Sequence, residues 1–277
     1  MIKSRKFFVF FLSCLMVLMM IPVTAFAGDA ATPKNGTTIT KNTTQAELDA
    51  WAGEGALTIE TVDGATVVTL QKDIKMGKTG GNPNKSVTPI NFGKHPDSAN
   101  DKMILDLNGH NISSDTMTIV SVCDLTIKDS IGTGSVYMDT SDSKAQAFGA
   151  VVNQRKLTIE GGTFEAKIHP DNKTVGVVSS AVADVETVID GGKFIGSGSA
   201  VYVSSGTITI KGGEFEGTNY GIIANGKAGV VIPEDSKAVV TSGSFPIVVG
   251  KSGDNTGSFK ISGGTFNGTD TTSLVGV

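Results

Sequence analysis

LTIEGGTF at 157–164 returns as TVIDGGKF at 187–194, ITIKGGEF at 208–215 and FKISGGTF at 259–266, with a looser copy, AVVTSGSF, at 238–245. Self-similarity at a regular spacing is the signature of a repeat architecture, and it changes how every other stretch is read. Phe164, Phe194, Phe215, Phe245 and Phe266 fall 30, 21, 30 and 21 residues apart. Upstream, LTIKDS (125–130) and LDLNGHNI (105–112) keep the frame, which places Leu107, Ile127, Ile159, Ile189, Ile210, Val240 and Ile261 in one column. A second strand recurs between the phrases: GAVVN (149–153), GVVSS (176–180), AVYVS (200–204), GIIAN (221–225) and PIVVG (246–250). With the segment that carries the phenylalanine, each period holds three short strands.

Three strands per turn of roughly 21 to 32 residues predict an all-β fold, a right-handed single-stranded parallel β-helix. A leucine-rich repeat would need its leucine and asparagine pattern and a helix, and a propeller would need four antiparallel strands per longer repeat. Within LTIEGGTF, the period of two sends Leu157 and Ile159 inward and Thr158 and Glu160 outward. The five phenylalanines are then expected to stack, one per coil, at the ~4.8 Å spacing of neighbouring strands. The glycine pairs (Gly161 and Gly162, Gly191 and Gly192, Gly212 and Gly213, Gly263 and Gly264) belong at coil corners, where glycine accepts a positive φ.

The ends of a solenoid expose unpaired backbone and core, so they need caps. Thr44-Gln45-Ala46-Glu47 has the spacing of a capping box, and predicts a short helix over 44–52 that plugs the first coil with Leu48 and Trp51. Trp51, the single tryptophan, is also a residue type that stacks on sugars. The Thr-, Asn-, Lys- and Gly-rich span 28–43 reads as a disordered linker, and 44–277 as the β-helix domain. At the other end, Ser273-Leu274-Val275-Gly276-Val277 aligns with PIVVG and GIIAN. The domain is therefore expected to be incomplete there, continuing in a longer chain or associating end to end.

Lys3, Arg5 and Lys6 precede an apolar run from Phe7 to about Val23, followed by Ala25, Phe26 and Ala27. That is the layout of a secretory signal peptide over 1–27, cleaved before Gly28. A run of roughly 16 residues is short of the ~20 that span a bilayer, and no later stretch approaches that length. Cys14 lies eight residues before the apolar run ends, which is the wrong place for a lipidated cysteine. After cleavage Cys123 is the one cysteine, so no internal disulfide forms and stability must come from burial. The remaining 20 basic and 27 acidic residues give a formal charge of −7, which argues against a nucleic-acid partner. Glycine, 35 of 277 residues, is about twice its usual share without a collagen period, in keeping with many tight turns. The expected location is the exterior of a bacterium, secreted or on the cell surface.

The leader, AELDAWAGEGALTIE, VTLQKDI, KMILDLNGHNIS, LTIKDSIGTGSV and the repeated LTIxGGxF together resemble the pectate-lyase-like β-helix modules of bacterial surface proteins, over about residues 44–277. The resemblance implies the fold and leaves the activity open, since that group holds lyases, hydrolases, adhesins and modules without catalysis. The NTD, DD, GHG and RIK strings of polygalacturonase-like hydrolases are missing, and Asn108-Gly109-His110-Asn111 is only a fragment of GHG. Pectate lyases are expected to show clustered calcium-binding aspartates and a basic residue; here Arg155 is the one arginine beyond the leader.

The outward row of the first strand is expected to run Asn108, Lys128, Glu160, Asp190, Lys211, Thr241, Ser262. Glu160 and Asp190 on adjacent coils have the spacing of an acid and nucleophile pair for glycoside hydrolysis, or of a calcium site. Flanked by Lys128 and Lys211, they are equally explained as a solvated charge ladder. Glu160, Asp190 and Arg155 are therefore the catalytic candidates, and Glu160 and Asp190 the metal candidates. No cofactor is implied, calcium being the ion these two carboxylates would take. Loops at 139–147, 165–175 and 226–237 lengthen some coils. His-Pro-Asp occurs at 95–97 and 169–171, where turn chemistry accounts for it, and Cys123 beside Leu125 and Ile127 reads as a buried thiol. The sequence thus points to a non-catalytic extracellular module, a rigid scaffold for adhesion or for binding glycan or surface protein. The rival is a lyase or hydrolase acting on an acidic polysaccharide.

Overall fold

A computed structural model describes residues 30–33, 35–77, 89–142, 149–171, 176–180, 182–249, 258–269 and 275–276. The leader at 1–27 and parts of the loops at 139–147 and 165–175 lie outside the described residues. Among those described, the strands form three sheets of nine, eight and nine members, and apart from one hairpin at the amino end consecutive strands pass from one sheet to the next. The chain is a parallel β-helix. Its regular middle is four coils, each giving one strand to the first, second and third sheet in turn. They are Lys156–Ile159, Thr163–Ile168, Gly176–Ser180; then Glu186–Ile189, Lys193–Gly196, Ser199–Val203; then Thr207–Ile210, Glu214–Gly217, Tyr220–Ala224; then Gly229–Ile232, Val239–Ser242, Phe245–Val249.

The inward column of the first sheet is Val68, Leu105, Ile127, Ile159, Ile189 and Ile210 in paired register, continued by the pair Ile232 and Ile261. Two expectations are corrected here. Leu105 holds the position expected for Leu107, which is buried past the strand end with its N–H donating to Lys128 O. Ile232 takes the place expected for Val240. In the second sheet Phe164, Phe194, Phe215, Val240 and Phe266 share a column. The rings of Phe164 and Phe194 stack at 5.1 Å and those of Phe194 and Phe215 at 4.9 Å, nearly parallel. Phe245 is not in this ladder; it belongs to the third sheet, opposite Tyr220. The looser copy misleads because Pro233 to Ala238 replace the glycine-pair corner, and valine fills the place of the ring.

In the glycine pairs the two residues answer different demands. Gly192 has φ +102°, a conformation costly for any residue with a Cβ, and lies over the Phe194 ring. Gly212 has no such φ, but a Cβ there would stand 2.4 Å from the carbonyl oxygen of Asp190 in the preceding coil. Coils one strand spacing apart leave no room for that side chain.

At the amino end helix α1, Gln45–Ala52, starts with the expected capping box: Thr44 N–H donates to Glu47 Oε2 at 2.7 Å and Glu47 N–H to Thr44 Oγ1 at 3.3 Å. Leu48 is buried, and Trp51 is half-buried against the core with Nε1 donating to Asn35 O at 2.7 Å. Beside the helix Leu57–Val62 pairs antiparallel with Ala65–Leu70 through a tight Asp63-Gly64 turn in which both φ values are positive, the geometry a two-residue hairpin requires. Gln45 covers the edge of that hairpin: its amide donates to Leu57 O and accepts from Ile59 N–H, so exposed strand groups are satisfied. The disordered-linker reading of 28–43 is corrected in part. Thr38–Ile39 pairs with Asn91–Phe92, with Ile39 fully buried, and Ala31 bridges to Ile74. Unpaired edge groups of the first coil attract any neighbouring backbone, and Ile39 supplies an apolar anchor.

Candidate functional site

Because a glycine pair carries no side chains, its repetition at one corner of successive coils leaves a trough along the axis. Gly132, Gly161, Gly162, Gly192 and Gly213 floor an open groove of about 470 Å³, walled by Thr163, Lys193, Glu214, Lys237 and Val239. Four of these wall residues are one outward row of the second sheet, Thr163, Lys193, Glu214 and Val239 pairing in turn. The glycine carbonyls are used internally: Gly162, Gly192 and Gly213 accept from the N–H groups of Lys193, Glu214 and Val239, each at 2.9 Å. The N–H groups of the same three glycines have no hydrogen-bond partner among the described residues. Lys193 Nζ lies 2.7 Å from Glu216 and 3.7 Å from Glu214, and the Glu216 carboxylate holds its ammonium above the usual lysine value. Lys237 is exposed and makes no ion pair among the described residues.

None of the sequence candidates lines this groove: Glu160 and Asp190 directly precede glycine pairs of the corner, and Arg155 lies away from it. Glu160 and Asp190 do follow Ile159 and Ile189 in paired strands, on adjacent coils. Asp190 is paired with Lys211 at 3.0 Å. The row runs through Asp106 in place of Asn108, since Asp106 pairs with Lys128, and Asp106 Oδ2 stands 3.2 Å from Lys128 Nζ. Thr241 is on the second sheet and Pro233, after Ile232, takes its place. Arg155 lies at the far end of the strand Lys156–Ile159, its Nε donating to Ala99 O at 3.4 Å. Five residues of extended chain put it ~16 Å from Glu160 along the backbone.

Several other titratable groups serve the fold. Burial disfavours the Asp106 anion, but the N–H groups of Ser130 and Asn108 and the Lys128 ammonium outweigh it and hold its carboxyl below the usual range. Asp129 accepts from Gly109 N–H at 2.8 Å and from Gly134 N–H, so it closes a corner. His110 faces Asp73 at 3.4 Å and His169 faces Asp171 at 3.5 Å, in separate corners. Among the described residues no three His, Cys, Asp or Glu side chains converge as a metal site. Cys123 is fully buried and its thiol is pushed up to about 12, chiefly by burial, too high for a nucleophile at neutral pH. Asn153, unremarked in the sequence, is fully buried and spans coils, donating to Glu186 O and Thr187 Oγ1 at 2.8 Å. The groove was also missed as a groove; its signal was the glycine pair followed by Thr, Lys or Glu. No family model, curated protein or solved structure matches the chain. Among the described residues no helix is long and apolar enough to cross a membrane.

Proposed function

We propose that the chain is a non-catalytic module of the bacterial exterior, a rigid rod that presents a binding surface to extracellular glycan or surface protein. The observation that carries this reading is the separation of the basic candidate from the carboxylates: Arg155 and Glu160 lie beyond opposite ends of one strand, and Asp190, the neighbour of Glu160 on the next coil, is engaged by Lys211. Catalysis of glycan cleavage needs such groups within reach of one bond. The secretory-type leader and the likeness of the coil phrases to surface modules support the location. The reading is tested by incubating the protein, with and without calcium, with polygalacturonate and a panel of neutral and acidic polysaccharides. The expected result is no new reducing ends and no rise in the ultraviolet absorbance of unsaturated uronates. Turnover that Glu160→Gln or Asp190→Asn abolishes would replace it with the lyase or hydrolase reading.

The same proposal takes the strand Ser258–Ile261, at the edge of the first sheet among the described residues, as a face on which a second copy stacks. Ile261 there is 40% exposed, whereas the other members of its column are buried, and an exposed edge strand invites strand pairing. Light scattering should show association that Ile261→Glu weakens; a monodisperse monomer at high concentration would argue against it.

A further inference from the structure

We infer that the glycine-floored groove binds a linear, uncharged polysaccharide lying along the solenoid axis, about one sugar unit per coil. The inference rests on the surface-module reading and assigns it a site and a ligand class. The groove crosses five successive coils, from Gly132 to Val239, so it offers its features four steps of ~4.8 Å apart, or ~19 Å in all. An extended peptide presents equivalent side chains only every ~6.6 Å and drifts out of phase with such a ladder. A pyranose chain repeats close to the coil spacing and stays in phase.

The chemistry of the lining selects hydroxyl groups. The unpartnered N–H groups of Gly162, Gly192 and Gly213 and the ammonium of Lys237 donate, Glu214 accepts, and Thr163 does both. A sugar hydroxyl both donates and accepts, so it matches a mixed lining. A polyanion does not, because Glu214 lines the wall and, together with Glu216, already neutralises Lys193. The bare glycine floor leaves the flat ring faces of a sugar close backbone contact.

Gly161 provides the test, because its φ is not positive and a Cβ there finds nothing nearer than 3.9 Å. Gly161→Trp should fill the trough without disturbing the coil, as an unchanged melting temperature and circular dichroism spectrum would verify. The probes are neutral gluco- and manno-oligosaccharides of two to eight units, oligogalacturonate and an extended Thr/Val-rich peptide, titrated by calorimetry and by NMR shifts. Affinity for a neutral oligosaccharide should rise with length and level off at about five units, one for each coil the groove crosses. Gly161→Trp should weaken it at least tenfold, and Lys237→Ala, which leaves the floor intact, severalfold. Equal binding by wild type and Gly161→Trp would overturn the groove assignment while leaving the surface-module reading in place. Tighter binding of oligogalacturonate or of the peptide would overturn the ligand class, and no binding by any neutral chain would overturn the inference as a whole. Cleavage of a probe, in contrast, would overturn the surface-module reading itself.

Discussion

Replacing Phe194 by alanine removes the middle ring of a three-ring stack, with neighbours at 5.1 and 4.9 Å and no exposed surface. Truncating a buried phenylalanine costs about 3 to 5 kcal/mol, from lost transfer energy and the void left behind. Each ring pair adds about 0.5 to 1.5 kcal/mol beyond burial, so the upper half of that range is expected. Backbone pairing on both sides, Thr163 with Lys193 and Lys193 with Glu214, keeps the coils at strand spacing, and the void cannot close by collapse. At about 2 to 4 °C per kcal/mol for a chain of this size, the melting temperature should fall by roughly 8 to 20 °C. In a solenoid each coil touches only its neighbours, so hydrogen exchange should quicken first in the strands 163–168, 193–196 and 214–217. Phe245→Ala is the control: half-buried on the third sheet opposite Tyr220, it should cost less than half as much. Equal losses at Phe194 and Phe245, or a loss below about 1 kcal/mol at Phe194, would refute the register and the ladder.

The two glycines of a corner should differ in tolerance. Gly161→Ala is expected to be neutral or slightly stabilising, by up to about 1 kcal/mol, whereas Gly212→Ala, with its Cβ 2.4 Å from Asp190 O, should cost several °C in thermal melts. Asp106 should contribute to acid sensitivity: its folded-state carboxyl value is lowered, so its stabilisation is present above the unfolded carboxylate value of about 3.9 and is lost as pH falls through the lower folded value. Asp106→Asn should therefore lower stability at pH 7 by about 1 to 3 kcal/mol and flatten the fall in stability below pH ~4, measured by urea titration at a series of pH values. Cys123, buried and with its thiol at about 12, should resist a thiol reagent at pH 8 in the native protein and react at once in denaturant; fast native labelling would show that the first-to-third sheet corner opens.

The repeat itself announced the coil. Alternation of Leu157, Ile159 and their counterparts, the glycine pairs, and the Thr44–Glu47 box are local signals, and local backbone chemistry decides them: which side chains face inward, where φ is positive, where a helix begins. Phase between coils is a different matter. Closing a longer corner costs little free energy, so the insertion from Pro233 to Ala238 is free to shift AVVTSGSF by a whole strand. Only pairing with the neighbouring coils put Val240 beneath the Phe215 ring and sent Phe245 to the third sheet. The same holds for function. Gly162, Gly192 and Gly213 are each a corner when read alone; they become a floor only when three coils align them. Lys237, Thr163 and Glu214, far apart in the chain, meet around that floor because of the same alignment. The chemistry of each strand is written along the chain, whereas the groove is a property of the stacking between coils, which no single segment encodes.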